Sequence, residues 1–303
     1  MFKPTGIYPA MTTPFTESGE INEKVLRDIV DFNIDKGLHG LFPVSSSGDF
    51  ACMTLEQMME CMTIVAHQAK KRVPVIPGIS STSLEVSVRL AHKAKEVGCD
   101  AVLACPPYYY KMSPASMAKY YETLANEIQL PLIIYNIPVF APPIPYEVVA
   151  LLADHKNIIG MKDSSGNIVD FMHFKKAAPR FSWLTGREEG LTAALAIGAD
   201  GCMTAMANIF PELMVGIYNA CRAGDFEKAC YLQQYTLPII SACFGVPFPV
   251  PFRIAMEARG FKMGPHKQIM CESELRMVQK VTPVVHEIVN QVVKVIKQEK
   301  LDE

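Results

Sequence analysis

VGCDAVL, residues 97–103, reads as the end of a helix, a turn at Gly98 and the start of an apolar strand. The same phrase returns as KGLHGLF at 36–42 and as IGADGCM at 197–203. A chain that repeats helix end, glycine and strand start is assembled from βα units, and such units lay their strands parallel. Outward from these phrases, short runs rich in Val, Ile and Leu alternate with longer stretches of helical period. The predicted strands are GIYPAMTTPF (6–15), GLFPVSS (40–46), VPVIPGI (73–79), AVLACPP (101–107), PLIIYNIP (131–138), IIGMKD (158–163), FSWLTG (181–186) and GCMTAMA (201–207). That is about the eight strands that close a parallel barrel. Asn22 is placed to cap a helix that Gly37 ends, and Ser83 to cap one that Gly98 ends.

An open, doubly wound sheet uses the same alternation. No GxGxxG follows the first strand, which together with the strand count favours the barrel. After about residue 210 no strand pattern survives; EIVNQVVKVIKQEK reads as helix and CFGVPFPVPF (243–252) as a rigid connector. The expected fold is therefore α/β: a (β/α)8 TIM barrel over residues 1–222 and a C-terminal helical extension over 223–303 packed on it.

Composition narrows the function. The 303 residues are 50% hydrophobic, enough for a large core, and 29 basic residues nearly balance 31 acidic ones. A net charge of −2 offers no broad field for nucleic acid or an acidic membrane. No apolar run approaches the roughly 20 residues of a membrane helix. The nine cysteines form no CxxC pair, and MFKPTGIYPAMTTPF lacks a secretory pattern, so a soluble, reduced, cytoplasmic protein is expected. No HExxH, cysteine cluster or Walker run suggests a metal or a nucleotide, so the expected chemistry needs no cofactor.

In a parallel barrel, functional side chains project from the C-terminal ends of the strands. Those ends hold Ser45, Ser46, Ser47, Gly48 and Asp49; Tyr108, Tyr109 and Tyr110; Tyr135; Lys162; and Gly186, Glu188 and Glu189. Lys162 is the only lysine within a predicted strand. An amine desolvated at a barrel mouth becomes a nucleophile that forms imines with ketones, although a strand-end lysine more often snorkels to water or pairs with a neighbour, here Asp163. Tyr135 could carry protons beside it, and the serine run could cradle a carboxylate; a packing tyrosine and a plain turn are the bland alternatives. Glu188 and Glu189 read equally as a solvated helix start.

Taken in order, GxYPAxxTPF, SSSGDF, PPYYYK, YNIP, IIGMKDSSG and GADGCMTAMAN resemble the dihydrodipicolinate synthase and N-acetylneuraminate lyase family over about residues 5–261. The resemblance implies a class I, Schiff-base-forming pyruvate aldolase or lyase. Lys162 would form the imine with pyruvate or another 2-oxo acid, and Tyr135 would relay protons. Ser46 and Ser47 would hold the keto acid's carboxylate, Ser46 also joining the relay. Tyr109 would reach into a neighbouring subunit's site, implying a homotetramer built as a dimer of dimers. Gly186, Glu188 and Glu189 match the GYDE of sialic acid lyases, and Met203 falls in the family's GADGCM segment, so these join the expected substrate-binding set.

One departure bears on the substrate. Phe140 stands where dihydrodipicolinate-forming members carry an arginine that grips the second substrate's carboxylate, and a phenyl ring cannot supply a bidentate grip. Phe140 to Pro143 make that wall apolar and suited to an uncharged or aromatic aldehyde. The expectation is cleavage or formation of a 4-hydroxy-2-oxo acid from pyruvate and an aldehyde, sugar-acid or sialic-acid-like substrates included. The alternatives are 4-hydroxy-tetrahydrodipicolinate synthesis, sugar-acid dehydration through the same imine, or a non-catalytic 2-oxo-acid binder.

Overall fold

The computed structural model describes residues 2–243 and 245–302. Six parallel strands form one curled sheet: β1 (Gly6–Pro9), β2 (Val102–Ala104), β3 (Leu132–Asn136), β4 (Ile158–Asp163), β5 (Ser182–Thr185) and β6 (Gly201–Thr204). Their order, β1-β6-β5-β4-β3-β2, leaves the open edges at β1 and β2. Between those edges run the predicted second and third strands, 40–46 and 73–79, held by isolated parallel bridges Ala10 to Phe42, Leu41 to Val75 and Gly78 to Leu103. They make no continuous ladder. Pro43, Pro74 and Pro77 supply no N–H, and Val44 turns to φ 55°, so the pairing is reduced to single contacts.

Five of the six observed strands are shorter than their predicted runs, and β4 spans the predicted 158–163 in full. Residues 205–207, expected to end the last strand, instead lead into the short helix α8 described below. Helices α1 (Glu23–Asp35), α2 (Leu55–Ala69), α3 (Leu84–Glu96), α4 (Pro114–Glu127), α5 (Tyr146–Leu152), α6 (Ile168–Ala177) and α7 (Leu191–Ala196) cover the sheet. Asn22 and Ser83 cap α1 and α3, and Gly37 and Gly98 leave them at φ 82°, as the sequence indicates.

The repeated phrase has a structural reason. Its fourth residue is His39, Asp100 or Asp200, and each makes a two-bond clasp with the preceding strand segment. The side chain accepts a hydrogen bond from the backbone N–H of Ile7, Val75 or Trp183, while its own N–H donates to that same residue's carbonyl. The clasp ties down each new strand where it begins.

Six more helices follow: α8 (Met206–Ile209), α9 (Pro211–Arg222), α10 (Phe226–Gln233), α11 (Leu237–Cys243), α12 (Val250–Ala258) and α13 (Glu272–Gln298). The expected connector is shorter than 243–252, since α12 begins at Val250; Phe244 lies outside the described residues. Among the described residues no helix is long and apolar enough to cross a membrane.

The apolar interior divides by the period-two alternation of the strands. Tyr8, Phe42, Ile76, Leu103, Ile133, Tyr135, Ile159, Leu184 and Met203 point inside the curled sheet. Ile7, Leu41, Val75, Val102, Ile134, Met161, Trp183 and Cys202 pack outward, towards the helices. One irregularity breaks the alternation. Leu132 pairs with Ile158 but Ile133 with Gly160, so β4 carries Ile159 as an extra residue. Past this bulge every β4 side chain changes face, and Lys162 points inward with Ile159 although three positions separate them.

Candidate active site

Lys162 stands at the end of β4 and is 4% exposed. Tyr135 on β3 and Leu184 on β5 are its register partners, so the three occupy one row across the sheet. The Nζ lies 4.1 Å from the centre of the Tyr135 ring and 4.8 Å from that of Phe42. Among the described residues no carboxylate oxygen comes within ion-pairing distance of it. Asp163, the partner in the bland reading, faces away. It accepts from the Asn136 side chain at 2.7 Å and from the Ser165 hydroxyl at 2.8 Å. Burial pushes the Asp163 carboxyl above its ordinary range, and those hydrogen bonds oppose the rise.

The amine opens into a cavity of about 400 Å³. Ser46, Ser47, Tyr135, Phe140, Gly186, Glu188, Glu189 and Met203 also line it, so every expected site residue except Tyr109 is gathered there. Tyr109 is 79% exposed, edge-on to Tyr110 at 5.0 Å, in a separate rim groove with Tyr108 and Pro142.

Ser46 and Ser47 sit in a single 3-10 turn, Ser46–Gly48, braced from below. Ser45 donates to the Met11 carbonyl at 3.0 Å, Thr13 donates to the Gly48 carbonyl at 2.8 Å, and Asp49, at φ 63°, faces Arg253 of α12 at 3.3 Å. That guanidinium, 1% exposed, also donates to the carbonyls of Thr13, Met263, Gly264 and Pro265. Ser45 and Asp49 are thus bracing residues of the turn, and Ser46 and Ser47 are its cavity-facing ones.

A side chain at Gly186 fits only if Ser164 and Lys162 move aside. A Cβ there would stand 1.9 Å from Ser164 Oγ and 2.8 Å from Lys162 Cε. The acidic pair beyond it divides. Glu189 binds Arg187 at 2.6 Å, partly exposed, whereas Glu188 is 6% exposed, which corrects the alternative of a solvated helix start for that residue. Burial pushes the Glu188 carboxyl up to about 7; a hydrogen bond from its own backbone N–H opposes the rise most, Glu189 adds to it, and Lys162 and Arg187 also oppose it. Gln233 of α10 holds this loop by donating to the Glu188 carbonyl at 2.7 Å.

Sequence reasoning missed several lining residues. Ser164 donates to the Tyr135 hydroxyl at 3.4 Å, and its place directly after Lys162 and Asp163 was a usable signal. Ile240 and Cys243 come from α11, Phe252 from α12 and Phe248 from the connector between them, with the Phe248 ring centre 5.2 Å from that of Phe140. No local motif marks them, because only tertiary packing brings them to the cavity.

A family model described as the dihydrodipicolinate synthetase family matches residues 3–291. The chain belongs to this family. It is 36% identical to the probable 2-dehydro-3-deoxy-D-pentonate aldolase YjhH of Escherichia coli, over 86% of this chain and 89% of that one. It is 35% identical to the 4-hydroxy-tetrahydrodipicolinate synthase of Acidiphilium cryptum, over 84% and 88%. Among solved structures, YagE of E. coli in complex with pyruvate superposes with a TM-score of 0.86 at 26% identity, covering 94% of this chain and 98% of that one. N-acetylneuraminate lyase of Mycoplasma synoviae gives 0.83 at 26%, covering 94% and 97%. A dihydrodipicolinate synthetase family chain of this kind is a carbon–carbon lyase of the class I pyruvate aldolase type.

Proposed function

We propose that this enzyme cleaves or forms a 4-hydroxy-2-oxo acid through an imine between Lys162 and pyruvate. The observation that carries the reading is the placement of Lys162: a buried amine with no acidic partner among the described residues, 4.1 Å from the Tyr135 ring centre, in one cavity with Ser46 and Ser47. Ser46 and Ser47 hold the keto acid's carboxylate. The amine attacks C2 and water leaves. The protonated imine then draws in the electron pair of the C3–C4 bond as the C4 hydroxyl gives up its proton, with Tyr135 and Ser164 carrying protons. YagE, bound to pyruvate in its crystal, supports the choice of keto acid. Borohydride with pyruvate is expected to fix a covalent adduct on Lys162 that K162A lacks; an unmodified lysine in the wild-type chain would overturn the reading.

The synthase reading is favoured by the Acidiphilium relative and weakened by Phe140. Arg187 is the cation at hand for a second carboxylate, but Glu189 already engages it. Turnover of aspartate semialdehyde with pyruvate decides between the two.

Three coarser readings complete the proposal. The bridged segments 40–46 and 73–79 serve as second and third staves of an eight-stave barrel, with 1–222 as barrel and 223–303 as extension, a division that limited proteolysis tests. The exposed Tyr109 and Tyr110 belong to a subunit interface of a homotetramer, which light scattering tests. The nine free thiols suit the cytoplasm, which fractionation of the source cells tests.

A further inference from the structure

β2 stops at Ala104, opposite Ile134, so Tyr135 and Asn136 at the end of β3 pair with β4 alone. β4 reaches that end only after its bulge at Ile159. A slip of one residue past the bulge would carry Lys162 to the helix side of the sheet and Asp163 into the cavity. The two strand ends therefore need a hold besides the ladder, because they carry the amine and the phenol that face each other.

Directly after that pair, Asn136 and Asp163 are register partners turned away from the cavity, each 3% exposed. The Asn136 amide donates to Asp163 Oδ1 at 2.7 Å, and its Oδ1 accepts from the Ile144 N–H at 3.0 Å. Asp163 is held from the other side by the Ser165 N–H at 3.2 Å and the Ser165 hydroxyl at 2.8 Å. Two backbone bonds extend the tie across the sheet. The Ser164 N–H donates to the Asn136 carbonyl at 2.8 Å, and the Gly186 N–H donates to the Asp163 carbonyl at 2.7 Å.

We infer that Asn136 and Asp163 are positioning residues of the imine chemistry: their side-chain bond locks the register past the bulge and so keeps Lys162 abreast of Tyr135. The inference rests on the Lys162 imine. Only the observed register sets this donor against this acceptor. Shifted by one, the buried amide would face Lys162 or Ser164 and lose its carboxylate, a costly loss for a group shielded from water. The Ile144 bond gives the lock a second reach, since it closes the loop 137–143 onto the same amide and so sets the wall that holds Phe140. The keto acid's carboxylate is held elsewhere, by Ser46 and Ser47 on their own turn. Loss of the lock should thus slow imine formation without loosening pyruvate.

The test follows the rate of borohydride-trappable adduct against pyruvate concentration, which separates a limiting rate from a half-saturating concentration. N136D sets two carboxylates against each other; it is expected to cut the limiting rate at least about tenfold and to leave half-saturating pyruvate within about threefold of wild type. N136D/D163N exchanges donor and acceptor and is expected to regain most of that loss. Should N136D not fold, D163A, which leaves the Asn136 amide without its acceptor, is read in the same way. A wild-type limiting rate in the single variant, a loss carried by half-saturation alone, or a double variant no faster than N136D overturns the inference. With trapping intact on the wild-type enzyme, any of these rejects only the lock; no trapping on the wild-type enzyme rejects the imine and the lock together.

Discussion

In the proposed mechanism Lys162 acts only if its aliphatic stem is steered, and the hydrogen atom of Gly186 leaves the room for that. At Gly186 a methyl group would meet Ser164 Oγ and Lys162 Cε, both on side chains able to move, so G186A should fold and shift the amine rather than break the sheet. The expected outcome is a melting temperature near that of the wild type with at least about a tenfold slower imine formation, read by the rate of borohydride-trappable adduct. A wild-type rate would show that the glycine is dispensable. Legibility at this scale was uneven. Lys162 was legible because a lysine in an apolar strand is an anomaly, whereas the burial of Glu188 was not, because its surroundings are supplied by residues far away in sequence.

At the scale of elements, β4 decides which way the chemistry faces. Its bulge at Ile159 turns both Ile159 and Lys162 inward, and Gly160 completes it by letting the strand approach β5 closely. A Cβ on Gly160 would lie 2.6 Å from the Ser182 carbonyl oxygen, a backbone atom that cannot swing aside. G160A should therefore destabilise the protein by about 1–3 kcal/mol, measured by denaturant midpoint, and reduce Lys162 trapping as the bulge shifts. A variant of unchanged stability would mean that the two strands part freely. The alternation of strand and helix, and the caps at Asn22 and Ser83, were legible because they are local. The bulge was not: IIGMKD reads as six regular residues, and only pairing with β3 reveals the extra one. Likewise the prolines that interrupt 40–46 and 73–79 were visible in sequence, yet their effect on the ladder depends on which N–H faces a neighbour.

Across the whole molecule, Arg253 joins the first turn of the site to the helices at the far end of the chain. It compensates the buried Asp49, whose carboxyl burial pushes up against the pull of that guanidinium, and it anchors the carbonyls around Thr13 and Met263. R253M leaves Asp49 buried and unpaired, with an expected loss of about 3–5 kcal/mol in denaturant titration and a weaker hold on pyruvate through Ser46 and Ser47. The double variant D49N/R253M should regain part of that loss; if it regains none, the pair is not what braces the turn. Sequence reading placed the later helices on the barrel and did not foresee that they complete the cavity with Phe248 and Phe252. Such a partnership has no signature in either segment alone.

The Asp49–Arg253 pair spans 204 positions. During synthesis, Ser46 and Ser47 leave the ribosome long before the arginine that braces their turn has been translated. On the proposed reading, a nascent chain already holding Lys162, Tyr135 and both serines still lacks the brace of the serine turn until Arg253 is added. On that reading, a message truncated before α12 is expected to yield an inactive product.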